Sequence, residues 1–339
     1  MPPRVAGLVW VLFACGGAPA LAQEPTPAVE APLKAPAEAL QGVEAAPARL
    51  THAFRPGAKL LYETRQTTAL QQGPLGQMTM TTLFEVEREV TEAGPEGAVL
   101  ADTILHVVQD GAAAGQTFTL DTRDGTRSGN PAIDALGALA GGRLLTKAGK
   151  DGRVTSVEGG RALLERVLAA CPEELRDPMS AQLEMTLGDA ALMQQAQDAL
   201  VLFPEGELQP GATWRRAAKL GLMPLGELEK TLDYVYLGQV ERSGERCAKL
   251  WSRVRVAGVE DRDTVIQGQA LNVSLSPFEG ECALLVRLED GALLESGPLK
   301  LAYTMTLRVQ GQELQASYEL VTRIEARPAA PAVPAQPPR

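Results

Sequence analysis

Apolar and polar side chains alternate over long stretches of this chain. Between Met78 and Val90, the residues Met78, Met80, Phe84, Val86 and Val90 fall on one side of an extended backbone, and Thr79, Thr81, Glu85, Glu87 and Glu89 on the other. That is the period-two pattern of a sheet with one buried and one wet face. Near the C-terminus Leu301, Tyr303, Met305, Leu307 and Val309 alternate with Ala302, Thr304, Thr306 and Arg308. Gln310-Gly311 then turns the chain, and Leu314, Ala316, Tyr318, Leu320 and Ile324 return beside it, which predicts a β-hairpin. Strands this long exceed the common five or six residues, so the sheet they predict is large, twisted and strongly curved. Between these regions the period changes. Residues 160–170 (GRALLERVLAA) and 189–200 (DAALMQQAQDAL) read as helices, the second with Asp189 as N-cap and Leu192, Met193, Ala196 and Leu200 on one stripe. Pro172 and Pro178 are expected to break the segment between them into short pieces. The predicted fold class is mainly β (α+β): a large curved antiparallel sheet or half-barrel with a helical insert placed to cover its concave face or plug its open end.

The chain also reads as a duplication. Phe54-Arg55-Pro56-Gly57-Ala58 opens one half and Leu208-Gln209-Pro210-Gly211-Ala212 the other. Val90, Gly94, Ala98 and Leu100 are matched at an offset of 150 by Val240, Gly244, Ala248 and Leu250, and the Asp151-Gly152 turn is matched by Asp290-Gly291. Pro-Gly and Asp-Gly are common turn dipeptides, but here three matches keep the same order. The organisation read from this is a signal peptide over 1–22, a Pro/Ala/Glu-rich disordered tether over 23–50, a first β-rich half over 51–157, a helical insert over 158–206, a second β-rich half over 207–327 and a disordered Pro-rich tail over 328–339.

Composition then narrows the function. The 339 residues carry a net charge of −10, whereas a protein that grips phosphates presents a basic face, so nucleic acid is not an expected partner. No apolar run approaches the roughly 20 residues of a membrane-spanning helix. Arg4, the apolar run from Val5 to Ala14 and Ala20-Leu21-Ala22 have the layout of a secretion signal cleaved before Gln23. Leu12-Phe13-Ala14-Cys15 offers the alternative of a lipoprotein anchored through an acylated Cys15. The expected location is accordingly the periplasm or outside the cell, free or lipid-anchored. Either route leaves Cys171, Cys247 and Cys282 where disulfides persist. A Cys247–Cys282 bridge would contribute roughly 4 kcal/mol in the chain-entropy model; the other reading is that all three thiols are small buried hydrophobes.

Chemistry-bearing motifs are sparse. The two histidines, His52 near the tether and His106 within a strand beside Ile104 and Val108, have no partners at zinc-site spacing, so no metal and no cofactor is expected. Phosphate loops and nucleophile elbows are absent as well. Glu85, Glu87 and Glu89 form a ladder on one strand face, a common means of keeping a sheet soluble and its edges unpaired. No catalytic residue is assigned and the chain is not expected to be an enzyme. Trp214, launched into a strand by Pro210-Gly211-Ala212-Thr213, reads as a packing anchor or as the wall of a ligand groove, with Tyr62 in the comparable place of the first half.

The Pro-Gly-x-x-Trp opening of the second half, the Asp-Gly-x-Val/Leu turns and the long strands flanking a helical middle resemble an uncharacterised family of exported bacterial proteins of unknown function, over about residues 54–325. In architecture the chain is more distantly similar to the lipoprotein-carrier and mycobacterial lipid-binding lipoproteins of the cell envelope, whose half-barrels hold acyl chains. The export signal, the apolar alternate faces and a helical segment able to act as a lid give the expectation of a non-catalytic envelope protein that binds a lipid or acyl group in an apolar groove formed by Met78, Met80, Phe84, Tyr62, Trp214, Met305 and Leu307. The alternatives are a module that binds another envelope protein and, less favoured, an envelope hydrolase.

Overall fold

The computed structural model describes residues 33–71, 76–113, 116–222, 225–266, 269–309 and 312–329. The proposed signal peptide, Cys15, the first part of the tether (23–32) and the tail from 330 onward lie outside them. In chain order the strands and helices are β1 (Ala48–Arg49), β2 (Lys59–Gln71), β3 (Gln77–Gly94), β4 (Gly97–Ala113), β5 (Gln116–Asp121), α1 (Pro131–Leu136), β6 (Arg143–Gly149), β7 (Val154–Glu158), α2 (Gly160–Ala170), α3 (Glu173–Leu187), α4 (Asp189–Ala199), β8 (Glu207–Leu208), β9 (Thr213–Leu222), β10 (Gly226–Arg242), β11 (Glu245–Val256), β12 (Val259–Ile266), β13 (Gln269–Leu275), β14 (Phe278–Arg287), β15 (Leu293–Val309) and β16 (Gln312–Pro328). A single antiparallel sheet of 14 strands runs β7-β6-β4-β3-β2-β16-β15-β14-β11-β10-β9, with β5 added to β4 and the β12–β13 hairpin added to β15. It is open, and β16 is the seam: it pairs with β15 of the second half on one side and with β2 of the first half on the other.

The duplication is visible in the hydrogen bonds. Gly57 N–H donates to the Val90 carbonyl at 2.7 Å and Val90 N–H to that of Ala58 at 2.9 Å, while Gly211 donates to Tyr236 at 2.7 Å and Tyr236 to Ala212 at 2.9 Å. Both turns place glycine at positive φ, +81° and +91°, where a Cβ is disfavoured. The Asp-Gly hairpins also correspond, each with a bulge at the same place, between Lys147 and Ala148 and between Leu285 and Val286. The geometry therefore matches Val90 with Tyr236, not with Val240 at an offset of 150. Bulges at Val90/Glu92 and at Tyr236/Gly238 change the register of the two hairpins differently. By the same correspondence Trp214 stands where Leu60 does, and Tyr62 corresponds to Arg216.

Helix α4 lies between β7 and β9, the end strands of the sheet's main path. Gln197 accepts the Val154 N–H of β7 at 2.9 Å and donates to the Gly152 carbonyl at 3.1 Å, and Arg216 of β9 donates to the Gln197 carbonyl at 3.3 Å. The Val154 N–H and the Gly152 carbonyl at the β7 edge are thus engaged within the molecule rather than left to pair with another chain. One core joins the helices to the first half, through Leu163, Val167, Leu183 and Leu192 against Phe84, Leu100 and Val107. A second surrounds Trp214, Tyr236 and Leu250, and a third at the far end gathers Leu220, Val273, Phe278, Tyr303 and Met305.

Three local expectations are corrected. Helix α3 runs through Pro178, because Met179, Leu183 and Leu187, spaced one turn apart, all bury in the core and offset the roughly 3 kcal/mol that an interior proline costs. The residue flanking the start of α4 is Gly188, not Asp189, which is already helical. Residues 33–50 are not a free tether. Leu33 and Ala39 pack on Val235 and Leu237, on the opposite face of β10 from Tyr234 and Tyr236. Glu44 and Gln239 exchange backbone hydrogen bonds at 2.8 and 2.9 Å, and Ala48–Arg49 pairs with β8. This strap explains why β10 is buried on both faces from Leu232 to Gln239.

Candidate functional site

Directly opposed residues of antiparallel strands share a face, so the registers define the inner surface. One row crosses it as Leu250, Leu284, Ser296, Ile324, Thr64, Phe84 and Val107. Its two wings are buried in the cores, but its middle is not: Tyr62, Thr64 and Gln66 on β2, Val86 on β3, and Thr322, Ile324 and Ala326 on β16 are only half-buried, and none of these β2 and β16 residues belongs to a core cluster. A half-buried strip of apolar and uncharged polar side chains, the trough of the inner face, runs along the two central strands. From Leu60 to Gln66 it extends roughly 20 Å at about 3.3 Å per residue.

Two charged groups flank it on the same face. In the first half Arg88 forms a two-pronged pair with Asp102 at 2.7 and 2.8 Å, and its guanidinium lies over the Tyr62 ring, 5.1 Å from the centroid. Burial opposes the Arg88 charge, but Asp102 holds its pKa above the usual value. Burial also raises the Tyr62 phenol. In the second half the aromatic and the cation exchange strands: Arg216 of β9 neighbours Tyr234 of β10, whose phenol burial pushes up to about 12. Lys230 Nζ donates to Asp198 Oδ2 at 2.7 Å, Arg216 Nη2 stands 3.6 Å from Asp198 Oδ1, and Gln194 donates to that same oxygen at 2.8 Å. Arg216 and Lys230 are 3% and 7% exposed. Two buried cations therefore share one carboxylate.

The groove residues expected from sequence are divided among different places. Phe84 belongs to the helical core, Trp214 to the second core and Met305 to the third, with Leu307 at its margin. Met80 is buried against Gln109, whose amide donates to its sulfur at 2.7 Å, and Met78 opposes Leu70. Only Tyr62 lies on the trough. Trp214 is 2% exposed, donates to the Leu202 carbonyl at 3.1 Å and stacks on Tyr234 at 5.1 Å, so the groove-wall assignment is corrected to packing anchor: the strand turns the ring inward beneath residues 201–203. The Cys247–Cys282 bridge is corrected as well, since Cys171, Cys247 and Cys282 are all free and buried. Cys247 opposes Arg287 and Cys282 opposes Ser252, which separates the two by roughly 17 Å along the strands, far beyond bridging distance. Burial raises all three thiols, Cys282 to about 11.

The glutamate ladder faces outward in surface pairs, Glu87 and Glu89 with Lys59 and Glu85 with Arg123. His106 joins that outer face, 4.0 Å from Glu85, because a bulge turns it away from Ile104. Among the described residues there is no group of three or more His, Cys, Asp or Glu side chains placed to hold a metal. A shallow hollow of about 420 Å³ lies elsewhere, lined by Ala69, Gln71, Ala302, Thr304, Ser317 and Glu319. No helix among the described residues is long and apolar enough to cross a membrane.

The Arg216–Lys230–Asp198 cluster was not foreseen from sequence, although a signal existed. Arg216 is in phase with Trp214, Ala218 and Leu220, and Lys230 with Leu228, Leu232 and Tyr234, so strict alternation already turned both cations inward. Helix α1, capped by Asn130 accepting the Ala132 N–H at 3.0 Å, was likewise not anticipated within the first half.

No curated protein sequence matches the chain. Among solved structures it is similar to lipovitellin, described for its lipid–protein interactions, at 13% identity over 84% of this chain and 27% of that one, with a TM-score of 0.42; the chain thus spans about a quarter of lipovitellin's length. It is also similar to the β domain of the Bordetella autotransporter BrkA at 7% identity, over 80% of this chain and 100% of that one, TM-score 0.21. A third likeness is to a Bacteroides fragilis structure described as an exported protein with a YmcC-like fold, 11% identical over 82% and 99% of the two chains, TM-score 0.15. Scores this low carry no functional argument. Residues 106–234, from within β4 through the four helices and the Pro-Gly-x-x-Trp turn into β10, match the model described as "Family of unknown function (DUF6263)", the uncharacterised type of family that the sequence motifs implied.

Proposed function

We propose that this is a non-catalytic protein of the bacterial envelope that holds a lipid or acyl chain in the trough of its inner sheet face. The observation that carries the reading is the half-buried middle of that face. Tyr62, Thr64, Gln66, Thr322 and Ile324 are left partly open between cores that fill both wings. The lining mixes apolar surface of Tyr62, Val86, Ile324 and Ala326 with the uncharged polar Thr64, Gln66 and Thr322, a set that can take a flexible hydrocarbon, and a span of roughly 20 Å is comparable to an extended fatty-acyl chain. Export rests on the N-terminal layout of Arg4, the apolar run and Ala20-Leu21-Ala22. The test is the native mass spectrum of the protein exported through its own leader into a bacterial periplasm. A bound mass of lipid size that leaves on activation is expected; a bare chain in every charge state, unchanged after incubation with fatty acid, overturns the reading.

A further inference from the structure

We infer that Arg216 and Lys230 form a carboxylate-binding subsite, the place where the acid end of the bound acyl chain is held. The inference rests on the acyl-chain reading for the source of the carboxylate. Its basis is an incomplete set of contacts around a deeply buried cation. Arg216 is 3% exposed, yet its Nε has no hydrogen-bond partner, and a buried donor without an acceptor is costly and uncommon. The neighbouring Nη2 stands 3.6 Å from Asp198 Oδ1, beyond hydrogen-bond distance, and the Tyr234 phenol lies beside the same guanidinium. That carboxylate is drawn away by Lys230 at 2.7 Å and by Gln194 at 2.8 Å. The Nε–Nη2 edge of a guanidinium is the fork that accepts a carboxylate through two parallel bonds, and here no carboxylate is bonded to it.

Charge counting agrees. Arg216, Lys230 and Asp198 sum to +1 in a chain whose net charge is −10, whereas Arg88 and Asp102 on the same face cancel. Buried charge is costly unless paired, so an excess cation at this place invites one more anion. Tyr234, beside Arg216, remains a protonated donor at neutral pH because burial pushes it up to about 12. The side chain of Asp198 is 26% exposed, which leaves the cluster in reach of solvent. On the inner face the row of Arg216 continues through Leu232 and Val254, both buried in the second core, to Gly280.

The test is calorimetric titration of the intact protein with laurate, with methyl laurate and with acetate. The expected result is that laurate binds about tenfold or more tightly than its methyl ester, and that Arg216→Lys, which keeps the charge but loses the fork, removes most of that preference. Asp198→Asn raises the local charge and is expected to tighten laurate severalfold, which keeps the proposal testable if changes at Arg216 unfold the chain. Equal binding of laurate and its ester, unaltered in Asp198→Asn, overturns the carboxylate subsite while leaving the acyl reading standing. Acetate binding as tightly as laurate would support the subsite with a free acid as its source and refute the acyl reading. No binding by any of the three overturns both.

Discussion

Removing Asp102 is expected to be among the most damaging single changes on the inner face. Asp102→Ala leaves Arg88 with its side chain 14% exposed and without the carboxylate that meets it at 2.7 and 2.8 Å. With charge centres about 4 Å apart and an effective dielectric near 20, the lost attraction is about 4 kcal/mol, in line with the 3–5 kcal/mol typical of orphaning one member of a buried pair. Replacing both members by apolar residues of similar size removes the desolvation cost along with the attraction. The double variant Arg88→Met/Asp102→Leu is therefore expected to lie within about 1–2 kcal/mol of the native chain, part of the difference being the lost stacking of Arg88 on Tyr62. Urea unfolding followed by circular dichroism measures both, through the midpoint at constant slope. A loss below about 1 kcal/mol for Asp102→Ala, or a double variant no more stable than the single, would refute the reasoning that burial makes this pair interdependent.

Two further outcomes follow from the joints of the repeat. Gly211→Ala places a Cβ in open space at φ +91° and is expected to cost about 1–2 kcal/mol from backbone strain alone; Gly291→Ala adds a Cβ 2.4 Å from the Thr51 carbonyl oxygen and should cost clearly more in the same unfolding assay. His52 lies against the Gly152 and Gly291 turns, bonded to the Val201 carbonyl at 2.9 Å, and burial lowers its pKa below the ordinary 6.5. A depressed histidine pKa means that the unfolded chain binds the proton more readily, so this contribution is complete above about pH 6.5 and is lost as pH falls through the lower folded value. Stability measured between pH 7.5 and 5 should fall for the native chain and fall less steeply for His52→Gln.

The sheet and its repeat were legible because they depend on local chemistry. Alternation at Met78–Val90 and Leu301–Leu307 is enforced by the pleat, and Pro-Gly and Asp-Gly record turns that need positive φ. Register was less legible, since the bulges near Val90 and Tyr236 leave no composition signal, and Val240 was aligned four residues too far along. The strap at 33–50 was misread because Pro, Ala and Glu are also the composition of a flexible linker; what fixes it is a few small contacts of Leu33, Ala39 and Leu50 with strands nearly two hundred residues away. Groove residues were chosen for being apolar, which selected the filled cores, whereas the open part of the face is lined by Thr64, Gln66 and Thr322. Arg216 and Lys230 are hard to read as buried because cationic side chains are rarely fully buried unless paired, and their partner Asp198 comes from a distant helix.

Photocrosslinking with a diazirine-bearing fatty acid, followed by peptide mapping, addresses the central claim directly. Adducts competed by laurate should fall on the inward-facing residues Tyr62, Gln66, Thr322 and Ile324 of the two central strands. Adducts confined to outward positions such as Arg65, Thr67 or Arg323, or labelling that excess laurate does not reduce, would contradict an acyl site on the inner face of the sheet.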